Sequence, residues 1–103
     1  MKKKVLNGEI PYKFKAEHFK SILSKQDFKC YLSGRTLTEE NVNGAHITPL
    51  NKTGEHKLEN ICLVIDQLKQ LKRYYTDEEI VYLAVDIVNS IGKEYGFSIK
   101  KLR

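Results

Sequence analysis

His46 is the residue in this chain best suited to chemistry. It lies in the run Val42-Asn43-Gly44-Ala45-His46-Ile47, ahead of Thr48-Pro49-Leu50, with His56 and the amide of Asn60 further along. An imidazole titrates near pH 6.5 when unperturbed, at about the right place to move a proton at neutral pH. A lone histidine is more often structural than catalytic, so its surroundings must decide. The other chemistry on offer is electrostatic. Residues 1–26 hold seven lysines (2, 3, 4, 13, 15, 20 and 25) against Glu9 and Glu17, and this surplus accounts for the whole formal charge of +5. A basic arm on a neutral body is what a phosphate-seeking protein carries, although a solvated lysine-rich terminus has the same composition.

The elements that must position these residues can be read from periodicity. Residues 1–13 carry Gly8 and Pro11 without a repeat and are expected to form a basic arm, leaving 14–103 as a single domain. Phe19, Ile22 and Leu23 fall at i, i+3, i+4 and predict a short amphipathic helix over about 16–26. Phe28 to Leu32 reads as a strand, with a tight turn at Ser33-Gly34-Arg35, and Val42 to Ile47 reads as a second; together they suggest a β-hairpin. The apolar run Ile61 to Ile65 is expected to be extended and buried before it passes into a short helix over about 66–73. That helix would expose Lys69, Lys72 and Arg73, with Tyr74 and Tyr75 at its end.

Thr76-Asp77-Glu78-Glu79 is a capping box that opens a last helix, closed by Gly92 or Gly96. Ile80, Leu83, Ala84, Ile87, Val88 and Ile91 form one stripe along it, which is expected to face the core. The order is helix, hairpin, helix, helix, an α+β domain with a very small sheet.

Composition narrows the class. A chain of 103 residues supports one modest core and leaves no room for a second unit. No apolar run reaches the ~20 residues of a membrane span, and Met1-Lys2-Lys3-Lys4 is not followed by a secretion signal's apolar stretch, so no membrane association and a cytosolic setting are expected. Cys30 and Cys62 are too far apart for a CxxC pair and read as small reduced hydrophobes rather than a disulfide. No repeat or low-complexity segment is present.

Taken together, several residues resemble the HNH, or ββα-metal, endonuclease family. The match consists of His46-Ile47-Thr48-Pro49-Leu50, then Gly54, His56, Leu58 and Asn60, together with the Cys30-Tyr31-Leu32-Ser33-Gly34 opening and the Thr76-Asp77-Glu78-Glu79 helix, and spans roughly residues 17–90. In that family a histidine at the end of the second strand is the general base that deprotonates the water attacking a DNA phosphodiester. The resemblance puts His46 there and makes Asn60 the residue that holds the loop and orients it.

The family's single divalent cation sits on about three protein ligands, one just before the base histidine and two a turn apart on the following helix. Carried over without gaps, those places fall on Ala45, Ile65 and Lys69. Alanine and isoleucine have no donor, and an ammonium repels a cation. Lys69 would stand near the cation's place and attract a backbone phosphate instead. A register shifted by one residue would offer Asp66 and Gln70, a carboxylate and an amide four residues apart, for Mg²⁺, Mn²⁺ or another divalent cation, with His56 as a further donor.

Three readings follow. In the first, the chain is an HNH-fold protein that binds the DNA backbone through Lys2, Lys3, Lys4, Arg35, Lys69, Lys72 and Arg73 and has lost cleavage, needing no cofactor. In the second it is an active metal-dependent endonuclease with His46 and Asn60 as its catalytic pair. In the third the fold is a protein-interaction or inhibitor scaffold. A small lysine-rich chain of this kind suits a phage or mobile element. Tyr74 and Tyr75 could stack on bases, though packing between the last two helices is the reading favoured for at least one of them.

Overall fold

The computed structural model describes residues 15–102. It is an α+β unit with three α-helices and one two-stranded antiparallel sheet, in the order α1 (Ala16–Lys25), β1 (Val42–His46), β2 (Ile61–Ile65), α2 (Asp66–Tyr74) and α3 (Asp77–Asn89). The basic arm, including Lys2, Lys3 and Lys4, lies outside the described residues. No described helix is long and apolar enough to cross a membrane.

The sheet differs from expectation in its partner. β1 pairs with β2, from Val42 opposite Ile65 to His46 opposite Ile61, so His46 ends the first strand of the hairpin rather than the second. Residues 28–32 are not a strand and make only an isolated bridge, Lys29 to Thr36. The cause is local: Asp27 and Phe28 both have positive φ, near 57° and 58°, which turns the chain sharply before any ladder can form. The segment curls instead, with Cys30 N–H donating to Arg35 O at 2.7 Å and Gly34 N–H to Cys30 O at 2.9 Å.

β2 is apolar on both faces, and Cys62, Leu63, Val64 and Ile65 are all buried. Such a strand needs cover on both sides and at both edges. One edge is β1. The other is closed at Leu63, whose N–H donates to Gln26 Oε1 (3.0 Å) and whose carbonyl accepts from Gln26 Nε2 (3.0 Å) and Tyr31 N–H (2.9 Å). Ile22, Cys30 and Leu37 complete the core, so both cysteines are free and buried.

α3 opens as expected. Glu79 N–H donates to Thr76 Oγ1 at 3.2 Å and Thr76 N–H to Glu79 Oε1 at 2.9 Å, a cap of the kind that contributes about 1 kcal/mol. The helix stops at Asn89, ahead of both glycines, and a 3₁₀ turn over Ile91–Tyr95 leads to Gly96, whose φ of +90° suits only glycine well. Its apolar stripe does not face the core. Ile80 is buried, but Leu83, Ile87 and Ile91 are 42%, 58% and 52% exposed. The first turn of α3 is anchored to the rest of the domain through Ile80, Asp77 and Glu79, whereas the later turns run past the nine-residue α2 and are met at their end by the chain's own tail, where Asn89 Nδ2 donates to Ile99 O (3.0 Å) and Ile99 N–H to Asn89 Oδ1 (2.7 Å).

Candidate functional site

His46 sits where β1 hands over to a long loop, and the loop is held on both sides. Ile47 N–H donates to Asn60 O (2.8 Å), Thr48 N–H to Asn60 Oδ1 (2.8 Å), and Asn60 Nδ2 donates to Thr48 O (3.0 Å) and Glu55 O (2.8 Å). Asn60 thus brackets both arms of the 47–60 loop with one amide. Gly54 completes the closure: a Cβ there would stand 1.8 Å from Thr48 O, so no other residue fits.

A buried lysine supports the same turn from behind. Lys72 is 0% exposed, and its Nζ donates to Ile47 O at 2.6 Å and Tyr75 O at 3.1 Å. Asp77 Oδ1 faces the ammonium at 3.1 Å as a charge contact rather than an aligned hydrogen bond, while Asp77 Oδ2 accepts from the Tyr31 hydroxyl. Burial and the Asp77 carboxylate both push the Tyr31 hydroxyl above its usual pKa. Lys72 was expected on the exposed face of α2 as a phosphate contact; it is instead an interior group with no access to a ligand. The helical period carried the signal, since Lys72 lies four residues after Leu68, which packs on the core, and shares its face; the residue type concealed it, because a lysine there is buried only when its ammonium finds partners such as the carbonyls under the His46 turn.

The two histidines meet. His46 Nε2 and His56 Nδ1 lie 2.8 Å apart, with the rings edge to face, so one nitrogen must donate and the other accept. Burial first, and the nearby His56 second, hold the His46 imidazole below its ordinary pKa.

In front of His46 is a cavity of about 370 Å³. Gly44 and Ala45 bring no bulk to it, Leu50 and Tyr74 form apolar walls, and Asn51, Lys69 and Arg73 supply the remaining polar groups. A smaller space, about 210 Å³, lies on the His56 side with Ile61. Lys69 and Arg73, one turn apart on α2, are both exposed and share this cavity with His46 and Ala45. The arrangement offers two cationic side chains and an imidazole without a carboxylate in the lining, which suits an anion.

A divalent cation of the kind the HNH resemblance implies does not fit these residues. Ala45 has no donor, Ile65 is only 4% exposed within the core, and Lys69 places an ammonium in the space. The shifted register does not repair this. Asp66 accepts from Asn43 Nδ2, and neither Asp66 nor Gln70 lines the His46 cavity. Arg35 is exposed in the turn after Cys30 and is likewise not part of the lining. Tyr74 and Tyr75, at least one of which is expected to pack between the last two helices, are both open to solvent, at 45% and 41%.

The depressed imidazole gives a pH prediction. His46 has a lower pKa folded than unfolded, so below about pH 6.5 the unfolded chain binds more protons and stability falls until pH passes the folded pKa; above pH 6.5 the effect is absent. An anion in the cavity favours the imidazolium and reverses the shift. Expected by NMR titration is a His46 midpoint below 6.5 in the free protein that rises when inorganic phosphate is added; a midpoint unmoved by phosphate would separate His46 from the anion site.

No protein-family model matches this chain, and no curated protein matches it either.

Proposed function

We propose that this chain is an HNH-like protein that binds the phosphate backbone of DNA and does not cleave it. The observation that carries the reading is that Lys69 and Arg73 share the His46 cavity with Ala45, so that positive charge stands where the resemblance would put metal ligands. A nuclease of that type draws much of its rate from the cation, which polarises the phosphate and stabilises the leaving oxygen. Ammonium and guanidinium groups keep the attraction for phosphate. They do not replace a metal-activated water. On this reading His46 and Asn60 keep the geometry of the turn and the basic arm adds further phosphate contacts.

The test is fluorescence anisotropy with labelled DNA between roughly 50 and 200 mM salt, with and without chelator, alongside plasmid nicking in Mg²⁺, Mn²⁺, Ni²⁺ and Zn²⁺. The expected result is affinity that falls steeply with salt, is indifferent to chelator, and comes with no nicking. Nicking that needs both metal and His46, lost in His46→Ala, would overturn the reading in favour of an active endonuclease. Failure to bind DNA even at low salt would favour a protein partner instead.

A further inference from the structure

We infer that the His46 cavity takes one unstacked nucleotide, so that the protein prefers single-stranded to duplex nucleic acid; this rests on the phosphate reading above and narrows it. A cavity of about 370 Å³ is far larger than a phosphate needs and falls within the ~300–1,000 Å³ of small-molecule sites. Its lining is divided in the same way as a nucleotide. Lys69 and Arg73 supply charge for a phosphate, while Leu50 and Tyr74, 53% and 45% exposed, supply apolar surface that a phosphate cannot use.

The Arg73 guanidinium lies 5.6 Å from the centre of the Tyr74 ring, a cation–π contact that orders the aromatic plane directly beside a positive charge. Stacking a base on an aromatic ring while a neighbouring cation holds its phosphate is the common way to bind single strands. The Asn51 amide, in the same lining, can both donate to and accept from a base edge. In a duplex the bases remain stacked and paired, and entering a recess between α2 and the Leu50 turn would require one to be extruded first.

Gly44 allows a clean test. A Cβ built there meets nothing within 4 Å and its φ is not in the left-handed region, so Gly44→Val, in a strand, should take up cavity space without straining the backbone. The experiment measures anisotropy at fixed low salt for a short pyrimidine strand, the same strand as a duplex, and a strand of equal length built from abasic sites. The chain is tested as wild type, Tyr74→Ala, Tyr74→Phe and Gly44→Val, with circular dichroism to confirm folding.

The wild type should bind the strand about tenfold or more tightly than the duplex, and the abasic strand should lose that advantage. The ratio should collapse toward one in Tyr74→Ala and Gly44→Val and persist in Tyr74→Phe, which still stacks. Equal binding of strand and duplex, tighter duplex binding, or an unchanged ratio in Tyr74→Ala would each overturn the inference while leaving the phosphate reading intact. Binding to none of the probes would remove the phosphate reading itself.

Discussion

Replacing Lys72 with methionine should destabilise the fold by about 2–4 kcal/mol, because two carbonyls under the His46 turn lose their donor and the half-exposed Asp77 carboxylate loses its counter-ion. The methionine keeps most of the volume, so packing loss is a minor part of the effect. What disappears is the ammonium that serves Ile47 O, Tyr75 O and Asp77 at once, in a place with 0% exposure. Two carbonyls then lack a donor, and Asp77 keeps only the Tyr31 hydroxyl among the partners described for it. Against a total stability of roughly 5–15 kcal/mol, such a loss brings a domain of this size close to unfolding at room temperature.

Urea unfolding followed by circular dichroism would measure it. A companion variant, Lys72→Met with Asp77→Asn, removes both charges while keeping an acceptor for the Tyr31 hydroxyl and should recover part of the loss, since no unpaired charge is then left. A cost below about 1 kcal/mol for Lys72→Met alone would mean that water reaches the site and the network is not the support of the His46 turn.

Lys69→Glu should weaken nucleic-acid binding by tenfold or more at low salt and lower the slope of log affinity against log salt by at least about 1. The substitution removes one cation from the His46 cavity and adds a like charge facing the phosphate. Its effect on folding should be small, because Lys69 is exposed on α2. Lys69→Gln, which deletes charge without reversing it, should fall between wild type and Lys69→Glu. Lys93→Glu, on the 3₁₀ turn beyond α3 and outside the cavity lining, serves as the control for net charge alone. Equal losses from Lys69→Glu and Lys93→Glu would show that binding follows overall charge and not the cavity.

Local signals carried a good part of this structure. α1, α2 and the Thr76–Glu79 cap of α3 lie within a residue or so of where apolar spacing and capping chemistry put them, since these depend on neighbours three or four positions away. The apolar run Ile61–Ile65 was legible as an extended, buried segment. Its partner was not, because β-pairing is a long-range choice: the run at 28–32 has the residues of a strand, and the positive φ of Asp27 just before it and of Phe28 at its start prevents its use. α3 shows a similar limit. An apolar stripe states that one face avoids water, but whether another element reaches that face depends on the length and direction of α2.

The site divides along the same line. The α+β class and the helix starts were legible without coordinates, because residue identity and short-range spacing carry that information, while the pairing of Asn60 with the His46 loop and the lack of donors at Ala45 and Ile65 were expected from the HNH resemblance. That His46 pairs with His56, that Lys69 and Arg73 line one cavity with His46, and that Lys72 is interior came from the three-dimensional arrangement, because each depends on which strand, loop and helix end the fold brings together.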